Sequence, residues 1–140
     1  MTRRTPTMAA LILVALAGCQ TPEVKPVEDI GGGRDVSRFV LTSIRGTRDG
    51  DRLNVVSVFG GAAGEQISVA LQFTIGIPTS LKSGTWTGLG AGGTVKERSV
   101  TFLGGQSGPP SIGGRFDLVA PDGGARYRVN IPVQELKNKL

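Results

Sequence analysis

Between residues 65 and 75 the apolar side chains occupy every second position: Ile67, Val69, Leu71, Phe73 and Ile75 alternate with Gln66, Ser68, Ala70, Gln72 and Thr74. A period of two puts successive side chains on opposite faces of an extended backbone, whereas a helix would need apolar residues three and four apart. The run therefore predicts a β-strand with one buried face and one wetter face. A second alternation sets Tyr127, Val129 and Ile131 inward against Arg126, Arg128 and Asn130 outward. Pro132 follows and has no N–H to give to a ladder, so this strand is expected to end there or to lie at a sheet edge.

Short runs rich in valine, isoleucine, threonine and phenylalanine predict further strands at 39–45, 52–59, 85–89, 98–103 and 114–120, which brings the total to seven. Asp49-Gly50 and Pro121-Asp122-Gly123-Gly124 supply the positive-φ positions that tight hairpins require. Gly60-Gly61-Ala62-Ala63-Gly64 and residues 104–110 form longer connections, so consecutive antiparallel pairing is expected. Residues 52–59 carry apolar side chains in both phases, Leu53, Val55 and Phe59 against Val56 and Val58, as in a central strand covered on both faces or a bulged one. Behind Pro132, the helical spacing of Val133, Leu136 and Leu140 predicts a short C-terminal helical turn. The expected fold class is all-β: a small antiparallel β-sandwich of about seven strands, with a small closed β-barrel as the alternative.

The beginning of the chain is written differently. Arg3 and Arg4 precede an apolar run at 8–17, which as a helix would rise about 15 Å, half the hydrocarbon thickness of a bilayer. Basic, then apolar, then small residues is the order of a removable export signal. The segment closes on Leu16-Ala17-Gly18-Cys19, which resembles the lipobox of bacterial lipoproteins. That resemblance implies that signal peptidase recognises Leu16, Ala17 and Gly18 and cleaves after Gly18. It also implies that Cys19 carries a thioether-linked diacylglycerol and that its freed amine is acylated. Thr2-Arg3-Arg4 is similar to the opening of a twin-arginine signal, but Pro6 and Thr7 stand where that motif has large apolar residues, so the general secretory route is expected. Two or three acyl chains, each contributing about 0.8 kcal/mol per buried methylene, hold a protein to a membrane almost permanently. In lipoproteins of this kind an aspartate after the cysteine commonly retains the protein in the inner membrane. Gln20 occupies that place here, which implies outer-membrane anchoring with the domain facing the periplasm or the exterior.

Three segments result: a lipoprotein signal peptide at 1–18, a lipidated N-terminus and tether at 19–37, and a single β domain at 38–140. The tether contains Pro22, Pro26 and Gly31-Gly32-Gly33 without an apolar period, and flexible chain of that length reaches roughly 20–25 Å. The lipobox resemblance covers only the first nineteen residues and implies nothing about residues 38–140.

Composition removes much chemistry. Cys19 is the only cysteine and there is no histidine, so internal disulfides, thiolate or imidazole metal sites, and Ser-His-Asp or Cys-His catalysis are all excluded. No cofactor is expected. Without Arg3 and Arg4 the formal charge of +5 falls to about +3, a weak basic bias compatible with anionic lipid head groups or acidic glycans. Nucleic acid is a poor partner for an exported chain with no basic run interleaved with aromatics. Glu65, Glu97, Asp117 and Glu135 could supply an acid and a base, but Glu97 lies between Lys96 and Arg98, and Asp117 lies two residues from Arg115, so exposed cross-strand ion pairs are favoured. Gly88, Gly90 and Gly93 fit a G-x-G-x-x-G spacing without the strand-to-helix context that binds a dinucleotide, and read as a flexible interstrand loop. Asp49-Gly50-Asp51 lacks the rest of a calcium loop and reads as a hairpin turn.

The candidate binding surface consists of Arg115, Arg126 and Arg128 as a basic strip, with Trp86 as a sugar-stacking platform. A core tryptophan and a solvated sheet face are the bland readings of the same residues. The functional expectation is a non-catalytic binding or structural lipoprotein that engages another envelope protein or a surface glycan. The alternative is a barrel enclosing a small apolar ligand in a pocket lined by Phe73, Trp86 and Phe116.

Overall fold

A computed structural model of the chain describes residues 25–104 and 110–136. The signal segment, the lipobox residues Leu16, Ala17, Gly18 and Cys19, and Leu140 lie outside the described residues. Within them the protein is all-β. Its strands are β1 (Val27–Gly31), β2 (Val40–Asp49), β3 (Arg52–Gly60), β4 (Gln66–Thr74), β5 (Ser80–Gly88), β6 (Ala91–Leu103), β7 (Ser111–Val119) and β8 (Arg126–Glu135). All eight form one antiparallel sheet in the order β1-β8-β7-β6-β5-β4-β3-β2, curled into a half-barrel. From β2 to β8 each strand pairs with the next in sequence, as tight hairpins dictate; β1 alone makes a long-range pairing, with β8.

The alternation read from the sequence decides which face is concave. On β3 and β4, Leu53 opposes Phe73, Val55 opposes Leu71 and Phe59 opposes Ile67, and all six side chains are buried. Trp86, Phe116, Leu118, Tyr127 and Val129 complete the same interior, with Val36 and Phe39 from the β1–β2 connection. Burying a large apolar side chain contributes about 1.5–3 kcal/mol, so this interior is the main source of stability in a domain without disulfides. The sheet curls far enough for its two sides to meet: a side chain at Gly46 on β2 would collide with Leu136, immediately after β8.

Several expectations are corrected. There are eight strands and one sheet, not seven strands in a two-sheet sandwich, because curling lets the strands of one sheet face each other across the core. The folded domain begins within the expected tether: β1 adds to β8 through backbone pairing, and Val27 is buried. In place of the C-terminal helical turn, β8 continues to Glu135, paired with Ser111. A bulge between Ile112 and Gly114 shifts the phase there: Ile131 and Leu136 are buried while Val133 is exposed, so the helical spacing of Val133 and Leu136 does not mark a common buried face. Pro132 does lie at an edge, since the pairing of β8 with β1 stops at Val129. On β3, Val56 is exposed and Val58 half-buried, so among the described residues no second layer covers that face. Gly88 to Gly93 is a tight hairpin, with Gly88 opposite Ala91 and positive φ at Leu89 (53°) and Gly90 (73°).

Candidate functional site

The feature that concentrates charge is the outer face of β6, β7 and β8. Cross-strand neighbours share a face, and the register sets Lys96 beside Asp117, Asp117 beside Arg128, and Arg115 beside Asn130. Phe116 and Leu118 point into the core, so Asp117 between them is driven outward. It is nevertheless buried, because two arginines close over it. Arg128 Nε donates to Asp117 Oδ1 at 2.8 Å and Nη2 to Oδ2 at 3.4 Å, and Arg98 Nε lies 3.8 Å from Oδ2. The hydrogen bond to Asp117 raises the pKa of Arg128 above its ordinary value, and the negative charges of Asp117 and Glu28 act in the same direction.

Next to this pair, Asn130 ties down the first residues of the folded domain. Its Nδ2 donates to the Lys25 carbonyl at 2.7 Å and to Glu28 Oε2 at 3.1 Å, and its backbone N–H donates to the Pro26 carbonyl at 2.8 Å. Lys96, Arg115 and Arg126 are exposed and make no salt bridge with any described residue. The face thus carries Lys96, Arg98, Arg115, Arg126 and Arg128 against Asp117, Glu28 and, at the end of β8, Glu135. A hollow of about 450 Å³ borders it, lined in part by Pro26, Leu41, Arg115, Asn130, Ile131 and Val133.

The structure brings Arg115, Arg126 and Arg128 onto one face, as the alternation expects. Trp86 does not join them: it is buried in the interior, where its Nε1 donates to the Val119 carbonyl at 3.2 Å. Phe73 and Phe116 meet edge to face with centroids 5.8 Å apart, and neither they nor Trp86 line that hollow. The carboxylates are dispersed. Glu65 Oε1 accepts from the Ala63 N–H, Glu97 Oε1 accepts from the Leu81 N–H where β5 and β6 separate, and Glu135 closes β8. Asp49-Gly50-Asp51 forms the β2–β3 hairpin, with Gly50 at φ 63°. Among the described residues no three metal-ligating side chains gather, and no helix is long and apolar enough to cross a membrane.

Sequence reasoning missed the parts of the site that depend on distant pairing: Lys25, Glu28 and Asn130, and the burial of Asp117. The equal spacing of Lys96 and Arg98 in the sequence was the available sign that β6 adds to the same basic face.

Fold and surface together define a single-sheet antiparallel β domain with a filled interior and one basic outer face. No protein-family model matches the chain, and no curated protein or solved structure matches it either.

Proposed function

We propose that this chain is a bacterial envelope lipoprotein, anchored in the outer membrane through lipid on Cys19, whose β domain is a non-catalytic binding or structural module. The observation that carries the reading is Leu16-Ala17-Gly18-Cys19 directly behind a short apolar run. Its non-catalytic character rests on the lack of histidine and of a second thiol, and on four candidate carboxylates that serve turns, strand ends and an arginine pair. The partner class is an envelope protein or a surface glycan.

The start of the folded domain fits such an anchor. Lys25, whose carbonyl is held by Asn130, follows Cys19 by six residues, a length that spans at most about 20 Å when extended. A domain tethered that closely stays beside the bilayer rather than ranging freely.

Labelling cells with an alkyne fatty acid and measuring the intact mass of the purified protein tests the proposal. The expected result is a chain beginning at Cys19 with two or three acyl groups, and a Cys19→Ser variant that takes up no label. An unmodified thiol at Cys19, or a retained leader, would overturn it.

A further inference from the structure

We infer that the basic outer face of β6–β8 docks the anchored domain onto anionic lipid head groups, so that this face is turned toward the membrane. The inference rests on the lipid anchor proposed above and adds an orientation and a ligand class to it.

Charge complementarity and chain geometry both point there. Arg98 and Arg128 are gathered over one buried carboxylate, while Lys96, Arg115 and Arg126 are exposed and make no salt bridge with a described residue, so their charges can meet an external anion. On the outer surface of β2 to β5 the charges, Arg45, exposed Lys82 and the facing pair Asp49 and Arg52, are spread among uncharged side chains such as Thr47, Asn54, Val56, Ala70 and Thr85. The chain also leaves the domain on the basic side. The side chain of Asn130, directly across from Arg115, holds the Lys25 carbonyl, so the root of the tether sits on this face.

Electrostatic attraction to a bilayer decays over a Debye length of about 8 Å at physiological ionic strength. A freely diffusing domain with a few cations would bind weakly, but a tether of at most about 20 Å keeps the face at a high local concentration near the lipid surface. The hollow beside Pro26 and Val133 is lined by Arg115 and Asn130 as well, so it borders the same face. Acidic surface glycan is the competing occupant; the position of the tether root favours lipid, because the face nearest the anchor meets head groups first.

The test uses the purified lipidated protein in vesicles of phosphatidylcholine alone or mixed with phosphatidylglycerol, with a quencher at head-group depth. A fluorophore is placed on Ser99→Cys, beside Arg115, or on Ala70→Cys, on the opposite outer surface. The thioether keeps Cys19 from labelling. Quenching at position 99 is expected to rise about threefold or more in the anionic vesicles and to reverse at about 0.5 M salt, with little change at position 70. The combined Lys96→Glu, Arg115→Glu and Arg126→Glu variant should lose the effect, and the corresponding glutamine variant should weaken it if the glutamate variant folds poorly. Equal quenching at both positions, or indifference to phosphatidylglycerol, would overturn the proposal. So would head-group quenching that appears only when an acidic polysaccharide is added. A Cys19 found unmodified by mass spectrometry fails the anchor and not the face, because co-sedimentation with the same two vesicle types then reads the docking directly.

Discussion

Trp86 and Tyr127 meet edge to face in the interior, with ring centroids 5.6 Å apart and planes at 82°, and their polar atoms reach in different directions. The indole Nε1 donates to the Val119 carbonyl, while the Tyr127 hydroxyl accepts the Arg34 N–H at 3.0 Å. The pair therefore joins β5, β7 and β8 to the β1–β2 connection, whose Val36 and Phe39 cover the core. Tyr127→Phe keeps the ring contact and removes only the link to Arg34. It is expected to cost about 1 kcal/mol, with faster hydrogen exchange at the Arg34 amide than elsewhere in the sheet. Trp86→Ala removes the centre of the cluster and should cost about 3–5 kcal/mol, read as the loss of denaturant midpoint.

Ser57 is the one side chain among the described residues whose buried polar atom has no hydrogen-bond partner. It points inward on β3 between Ile44 and Val69, both apolar. An unpartnered hydroxyl in such a place costs about 1–3 kcal/mol of desolvation, while its removal leaves a void smaller than a methyl group. Ser57→Ala is therefore expected to be neutral or to stabilise the domain by about 1 kcal/mol in urea denaturation, against the usual direction of core substitutions.

Asp117 links Arg128 and Arg98 unequally, and single substitutions should separate the two contacts. Asp117→Asn leaves a guanidinium over a neutral group and gives up a bidentate bond at a largely shielded position, so a loss of about 1.5–3 kcal/mol is expected. Arg98 is 58% exposed and 3.8 Å away, so Arg98→Ala should cost no more than about 1 kcal/mol, an amount that salt reduces further. Thermal unfolding at low and high ionic strength checks both.

Much of this arrangement is legible in the sequence, and the exceptions share a cause. Alternation in β4 and β8 announces its face locally, and the hairpin turns announce their own pairing, so Arg115, Arg126 and Arg128 fall on one outer face as read. β1 contributes a single fully buried apolar side chain, Val27, and the first half of β5 reads Ser80-Leu81-Lys82-Ser83-Gly84, so neither has a period to detect. Their strand structure comes from partners elsewhere in the chain. The choice between one curled sheet and two packed sheets is equally invisible, because each strand shows one buried face in either case. Trp86 belongs inside because it opposes Val69 of β4, a pairing that no local pattern specifies. Asn130 joins Lys25 across more than a hundred residues, and its role emerges only once β1 lies against β8.

Strong acid should loosen the β1–β2 connection. Asp35 Oδ1 accepts the Ser37 N–H at 3.0 Å, and this bond, with the one to the Ser37 side chain, holds the Asp35 pKa below its model-compound value of 3.8. Burial opposes this shift, and the charges of Arg38 and Lys25 act in the same direction as the bonds. A depressed folded-state pKa means that the contribution is fully present above 3.8 and is lost as the pH falls through the lower, folded value. Carbon-detected titration of the carboxyl should give a midpoint below 3.8 that moves upward in Ser37→Ala. In the same acid range the Phe39 amide, bonded to the Val36 carbonyl at 3.1 Å, should exchange faster in the parent protein.

Gly88, Gly90 and Gly93 share a spacing but not a reason, and substitution should separate them. Gly90 sits at the hairpin tip with φ 73°, where asparagine is tolerated, so Gly90→Asn is expected to cost less than about 1 kcal/mol. Gly93 lies within the ladder opposite Trp86, and a side chain there would drive into the Val119 carbonyl that accepts the indole N–H. Gly93→Ala must therefore part β6 from the β7–β8 turn or break that bond, at a cost of about 2–4 kcal/mol. The single tryptophan reports the difference: its emission should shift to the red in Gly93→Ala and stay in place in Gly90→Asn. A phosphate-cradling loop would instead expose its glycine amides to a ligand, so unchanged spectra and stability on adding a dinucleotide to the parent protein are expected as well.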